Sequence, residues 1–277
     1  MQWFQALRQK LPQHKYAIHA ALLGDETPCA WTNLGLWNSP DHTYPQAAMA
    51  LAQQLAESIH LNSKDKLLDL GCGQGASLKL WKTQFNLQHI EAVDIQSQCV
   101  DNIIHTLPFV QHAHCGSFLN LKNMNFEFKF DAVLCIDAAY HSDLNSFLTS
   151  VKSVLNSNAR IAFHYLVLTE RFKNLNSFEK LKLTTLLKSA DIDLKDLNSY
   201  TETSRLIEGH SFQDVQIINL SEPVLHGFAQ YIQHSNKHRL GQWSVDRLKI
   251  QMTAQLCEKL YMASLVDYVQ ICARYKD

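Results

Sequence analysis

The twelve residues Lys66 to Ser77, KLLDLGCGQGAS, constrain this 277-residue chain more than any other stretch. Leu67, Leu68 and Leu70 form a short apolar run, the pattern of a strand covered on both faces. The run breaks at Gly71-Cys72-Gly73-Gln74-Gly75, where glycine permits a sharp turn and lets a ligand approach the backbone closely. From Ala76 to Phe85 the period becomes helical, with Leu78, Leu80, Trp81 and Phe85 apolar. The free N–H groups of that helix start point back at the turn. As written, the turn fits G-x-G-x-x-A, a dinucleotide fingerprint. A glycine turn that binds nothing is the bland reading.

The same residues also fit D-x-G-x-G-x-G, and the segment strongly resembles the first turn of the class I S-adenosylmethionine (SAM)-dependent methyltransferases. Asp69 stands two residues before the first glycine. In that family a carboxylate there lies near the charged methionine end of the cofactor, whereas the pyrophosphate of NAD would be repelled. The resemblance implies SAM, with Asp69, Gly71, Cys72, Gly73 and Gly75 around it. An NAD(P)-dependent oxidoreductase is the alternative.

Further stretches extend the likeness. The second strand, QHIEAVD over 88–94, ends in Asp94, 19 residues after Gly75. A carboxylate there accepts the ribose hydroxyls in nucleotide-binding α/β sites, and capping the next helix, Ser97 to His105, is compatible with that role. Ile95 follows it. A third strand from Phe109 to His114 leads to Ser117 and Phe118. The family often has aspartate where Ser117 stands, so Ser117 is a weaker acceptor for adenine; Phe118 can stack on it. The fourth strand, Phe130 to Asp137, runs into CIDAAYH, which resembles the end of strand four in small-molecule methyltransferases. Asp137 is thereby assigned to the cofactor, and Tyr140 and His141 to the substrate. Upstream, WTNLGLW over 31–37 resembles a segment of the cyclopropane-synthase-like and sterol or tocopherol types. There it folds over the cofactor, which assigns Trp31 and Asn33 to the cofactor and Trp37 to the substrate. Two core tryptophans pinning N-terminal helices are the alternative for Trp31 and Trp37. His112, His114 and Cys115 offer at most two ligands from one strand face, too few for zinc, so no metal is expected.

The fold expected is α/β: a Rossmann-like, seven-stranded, mostly parallel sheet with helices on both faces. A last strand, Val266 to Tyr275, is antiparallel and inserts between strands five and six in the resembled family. Residues 1–60 read as a mainly helical segment covering the cofactor site, with Trp3, Phe4, Leu7 and Leu11 at helical spacing. Residues 61–277 read as the core. Within it, 171–199 and 223–264 are too long for plain connections and carry helical patterns, so they read as cap insertions; the second holds Phe228, Tyr231, Trp243, Met252 and Tyr261.

Composition narrows the function. Hydrophobic residues make up 46% and the net charge is −1, so no basic field favours nucleic acid. Seven cysteines without a CxxC pair suggest a reducing compartment, and the first residues lack a signal-peptide core, so a cytoplasmic location is expected. No apolar run reaches membrane-spanning length. Oligomeric state stays open, a homodimer included. The expected reaction moves a methyl group, by in-line displacement, to a small or mid-sized, partly apolar organic acceptor. Oxygen is favoured, with carbon or nitrogen open. His141 is the first candidate base and His164, on strand five, the second. A non-catalytic SAM-binding protein remains as a further reading.

Overall fold

The strands at 66–70, 130–135 and 160–168 are almost entirely buried, so the middle of the sheet must be covered on both sides. The computed structural model describes residues 18–238 and 244–276. The strands are β1 (Lys66–Leu70), β2 (His89–Asp94), β3 (His112–Cys115), β4 (Phe130–Cys135), β5 (Leu155–Leu168), β6 (Phe212–Asn219) and β7 (Val266–Tyr275). They form one sheet in the order β3-β2-β1-β4-β5-β7-β6. The first five pair in parallel, and β7 lies antiparallel between β5 and β6. This is the expected architecture. The strand order reverses direction at β1 and β4, so the crevice beyond their carboxyl ends is the natural ligand site of such a sheet.

Helix α1 (Tyr44–Ser58) begins at a capping box in which Thr43 and Gln46 satisfy each other's backbone. Its face of Ala47, Ala48, Leu51, Ala52 and Leu55 is fully buried, and the alanines let the helix lie close to the sheet. Helices α2 (Ala76–Thr83), α3 (Ser97–Thr106) and α4 (Leu144–Lys152) complete the parallel half, and α6 (Tyr200–Gly209) precedes β6. The insertions carry α5 (Ser177–Lys188), then a π-turn (Glu222–His226) running into α7 (Gly227–His238), and α8 (Val245–Ala263).

Several boundaries differ from the sequence reading. The sequence reads as a helix from Leu144 to Leu155 followed by a fifth strand from Arg160 to Leu168, but the strand starts at Leu155, because Leu155 pairs with Phe130 before the register shifts to Ala132 with Arg160. The preceding helix therefore stops at Lys152. The third strand is only His112–Cys115. Among the described residues of 1–60, a single 3-10 turn, Ala20–Leu23, precedes α1; Trp31 to Pro40 is irregular, as its helix-breaking residues suggest, and the irregular stretch extends over 24–43. The helical pattern of Trp3 to Leu11, and Trp243, lie outside the described residues.

Candidate active site

The glycine turn is built by backbone conformations that only glycine adopts cheaply. Gly71 and Gly73 have φ of 68° and 53°. A Cβ on Gly71 would lie 2.7 Å from Ala138 Cβ, and one on Gly73 would lie 2.9 Å from Thr32 Oγ1. Both glycines line an adjoining cavity of about 460 Å³ at the carboxyl ends of β1, β2 and β4. Gly75, also left-handed, does something else. A Cβ there would meet Leu107 and Ile103, so this glycine seats α2 against its neighbour and stands off the cavity.

Asp94 closes the turn. Its Oδ2 accepts from the Gly73 N–H at 2.9 Å and its Oδ1 from the Gln96 N–H at 2.8 Å. It is buried yet reaches the cavity wall beside Ile95, Gln96 and Cys99. Ile95 is 65% exposed, which places an apolar side chain at the cavity rim. Ser117 and Phe118 line the same end, with the Ser117 hydroxyl accepting from the Leu119 N–H at 3.2 Å.

Asp69 is buried below the turn. Its Oδ2 accepts from the Trp81 indole N–H at 2.6 Å. Burial pushes its carboxyl up to about 6, against the opposing hydrogen bonds from Ser77 and Trp81. A small cavity of about 80 Å³ joins Asp69 to Cys72, Ser77, Trp31 and Asn33. Gly71, Thr32 and Asp137 line both cavities. Asn33 is also structural: its amide donates to the Ala48 carbonyl at 3.1 Å, and its Oδ1 accepts from the Gly35 N–H at 2.9 Å.

Asp137 stands where the two cavities meet, just past β4. Its φ is 50°, an uncommon conformation that aspartate tolerates better than most residues. Oδ2 accepts from the Leu34 N–H at 2.7 Å, and Oδ1 accepts from the Tyr268 hydroxyl. Burial raises its carboxyl to about 6, while those two donors pull it back. Tyr140 and His141 follow on a 3-10 turn, Ala139–His141, and both face the larger cavity. His141 Nδ1 lies 3.4 Å from the Asp191 carbonyl oxygen.

Two sequence assignments are corrected. His164 is fully buried on β5 and lines neither cavity. Its Nδ1 accepts from the Asp137 N–H at 3.4 Å, its ring lies 5.3 Å from that of Tyr268, and burial lowers its imidazole to about 3. The ring is neutral, packs beneath the Asp137 backbone and stands behind the cavity wall rather than in it. Trp37 does not reach the cavity either. It stacks on Tyr231 at 4.2 Å, donates to the Leu34 carbonyl and packs on Gly227. That is the bland reading of a core tryptophan. His114 bonds the buried Glu91 at 2.7 Å, and among the described residues no group of three acidic, His or Cys side chains is placed to hold a metal.

Sequence reasoning missed the far wall. Thr253, Leu256, Cys257 and Leu260 of α8 face the cavity, with Ile192 and Leu225 from the other cap elements. Their spacing marks one stripe of α8, a signal visible in the sequence. Tyr268 was also missed, since nothing local ties it to a residue 131 positions earlier.

Residues 67–158 match the family model described as a methyltransferase domain. An O-methyltransferase of Aspergillus nomiae NRRL is 26% identical over 191 residues, covering 66% of this chain and 84% of that protein. The fold matches geranyl diphosphate C-methyltransferase from Streptomyces coelicolor A3(2), solved with Mg2+, geranyl-S-thiolodiphosphate and S-adenosyl-L-homocysteine. The TM-score is 0.68 at 15% identity, over 99% of this chain and 97% of that one. It also matches a mycolic acid cyclopropane synthase complexed with S-adenosylhomocysteine, with TM-score 0.71 at 13% identity, over 96% and 99%.

Proposed function

We propose that this chain, which carries a class I methyltransferase domain, transfers a methyl group from SAM to the oxygen of a small or mid-sized, partly apolar acceptor. The observation that carries the reading is the trio of carboxylates around one glycine turn. Asp69 and Asp137 are held near 6 by burial, so each gains from a cation placed beside it, and Asp94 turns a buried edge to the same cavity. A dinucleotide pyrophosphate would meet the same charges as repulsion, which disfavours NAD.

In this reading Asp69 and the small cavity hold the methionine end, Asp94 the ribose, and Ser117, Phe118 and Ile95 the adenine. The cofactor supplies a methyl group on a positively charged sulfur. The protein's part is orientation, which supplies up to roughly 7–11 kcal/mol in well-aligned displacements, and exclusion of water by α8, the π-turn and the segment 190–192 that line the cavity. His141 takes the proton from the acceptor oxygen, a contribution of about 10²–10⁴-fold. Asp137 is fixed by Leu34, Tyr268 and His164, so its charge stays in one place through the reaction.

Calorimetry with S-adenosylhomocysteine and with NAD tests the cofactor; binding of NAD as tight as that of S-adenosylhomocysteine contradicts the proposal. An acceptor screen with methyl-labelled SAM, followed by mass spectrometry of the products, tests the oxygen.

A further inference from the structure

We infer that the acceptor is an uncharged lipophilic alcohol or phenol, and that the cavity discriminates against the same skeleton carrying a phosphate. The inference rests on the methyltransferase reading above and adds a substrate class to it.

The wall divides by element. The cap contributes mostly hydrocarbon, Leu256 and Leu260 of α8, Leu225 of the π-turn and Ile192 beyond α5, with Leu166 of β5 on the same wall; Thr253, Cys257 and the further carboxylate of Asp191 are its polar groups. Leu256 is half-buried while Leu225 and Leu260 are nearly fully buried, so the stripe is anchored in the core and its open edge faces the cavity. An apolar acceptor body gains by covering that edge. The sheet contributes the polar groups of the acceptor end: Asp137, Tyr140, His141 and Tyr268. The carboxylate among them is short of solvation, and its oxygens already accept from the backbone N–H of Leu34 and the phenol of Tyr268. A second negative charge beside it is repelled with little screening, because the surroundings are of low dielectric. The described wall contains no lysine or arginine to offset that repulsion. A hydroxyl faces no such penalty. It can donate to His141 or Asp137 and accept from a tyrosine, which seats the nucleophilic oxygen at the polar end and the carbon body under the cap.

The test uses one skeleton in two charge states. Protein saturated with S-adenosylhomocysteine is titrated with 1-naphthol and with 1-naphthyl phosphate, followed by naphthyl fluorescence. Roughly tenfold or greater preference for 1-naphthol is expected. Equal or tighter binding of the phosphate overturns the inference, as does failure of 1-naphthol to bind protein that binds S-adenosylhomocysteine. Failure of S-adenosylhomocysteine itself overturns the cofactor reading instead, and the naphthyl pair still reports on the cavity. In Leu256→Lys an ammonium is added to the cap wall, so the preference should shrink several-fold, while Leu256→Met keeps it. An unchanged preference in a folded Leu256→Lys protein overturns the assignment of that wall.

Discussion

The phenol of Tyr268 on β7 donates to Oδ1 of Asp137, which lies beyond β4, on the far side of β5. The bond fixes an acid whose carboxyl sits near 6 and which takes the left-handed conformation. Tyr268→Phe removes a donor that favours the charged form, so the Asp137 carboxyl should rise further. The sign follows from linkage. A carboxyl raised by folding stabilises the fold below its ordinary range of about 4 and loses that contribution as pH rises through about 6. The phenol's bond to the charged form matters only once the acid has ionised. Denaturant unfolding should therefore show Tyr268→Phe costing about 1.5–3 kcal/mol at pH 8 and less at pH 5. A cost independent of pH would mean that Tyr268 acts through packing alone.

Gly73→Val should leave a folded protein that no longer binds S-adenosylhomocysteine. The φ of 53° costs a β-branched residue about 1–2 kcal/mol, and the side chain enters the space beside Thr32 on the cavity wall. Calorimetry checks it, with circular dichroism as the control for folding. Unchanged affinity in a folded variant would separate the turn from the cofactor.

Asp94→Ala should weaken S-adenosylhomocysteine by about 2–4 kcal/mol. Part of that loss has a structural source, because the carboxylate also accepts from the Gly73 and Gln96 N–H groups. Asp94→Asn keeps one carbonyl acceptor and should lose less. Equal losses for both variants would show that charge alone sets the affinity.

His141→Ala should lower kcat about 100-fold on a hydroxyl acceptor and leave S-adenosylhomocysteine affinity nearly intact. The pH–rate profile should lose its limb near neutral, where histidine ordinarily titrates. A near-normal kcat with an unchanged profile would leave orientation as the source of catalysis.

What was legible in the sequence was local. Strand, glycine turn and helix sit within twenty residues, so the order of these elements could be read directly, and the resemblance then set Asp69, Gly71 and Gly73 at the turn and Asp94 at the end of the next strand. The sheet order followed from the resemblance, including β7 between β5 and β6. Other features depend on contacts between distant segments. Burial of His164 requires β7 beside β5 and α1 above them, and a polar residue on an apolar strand reads equally well as a catalytic one. Trp37 carries the same ambiguity: its stacking on Tyr231 is set by α7, nearly two hundred residues away in sequence. The α8 stripe was visible as a helical period, but period alone does not say whether a face looks at core or at cavity. The start of β5 was misplaced because Asn156 and Asn158 look like a loop, and Asn158 indeed has φ of 62°.

The position of β7 in the sheet has a consequence for synthesis. On the ribosome, β1 to β5 emerge and can pair in parallel while β7 is still unmade. During that interval β6 has no neighbour to join, β5 keeps a bare edge, and Asp137 lacks its phenol partner. The parallel half is thus built early and the surroundings of Asp137 are finished late. A nascent chain stalled before residue 266 would carry the glycine turn without the strand that locks the acid beside it.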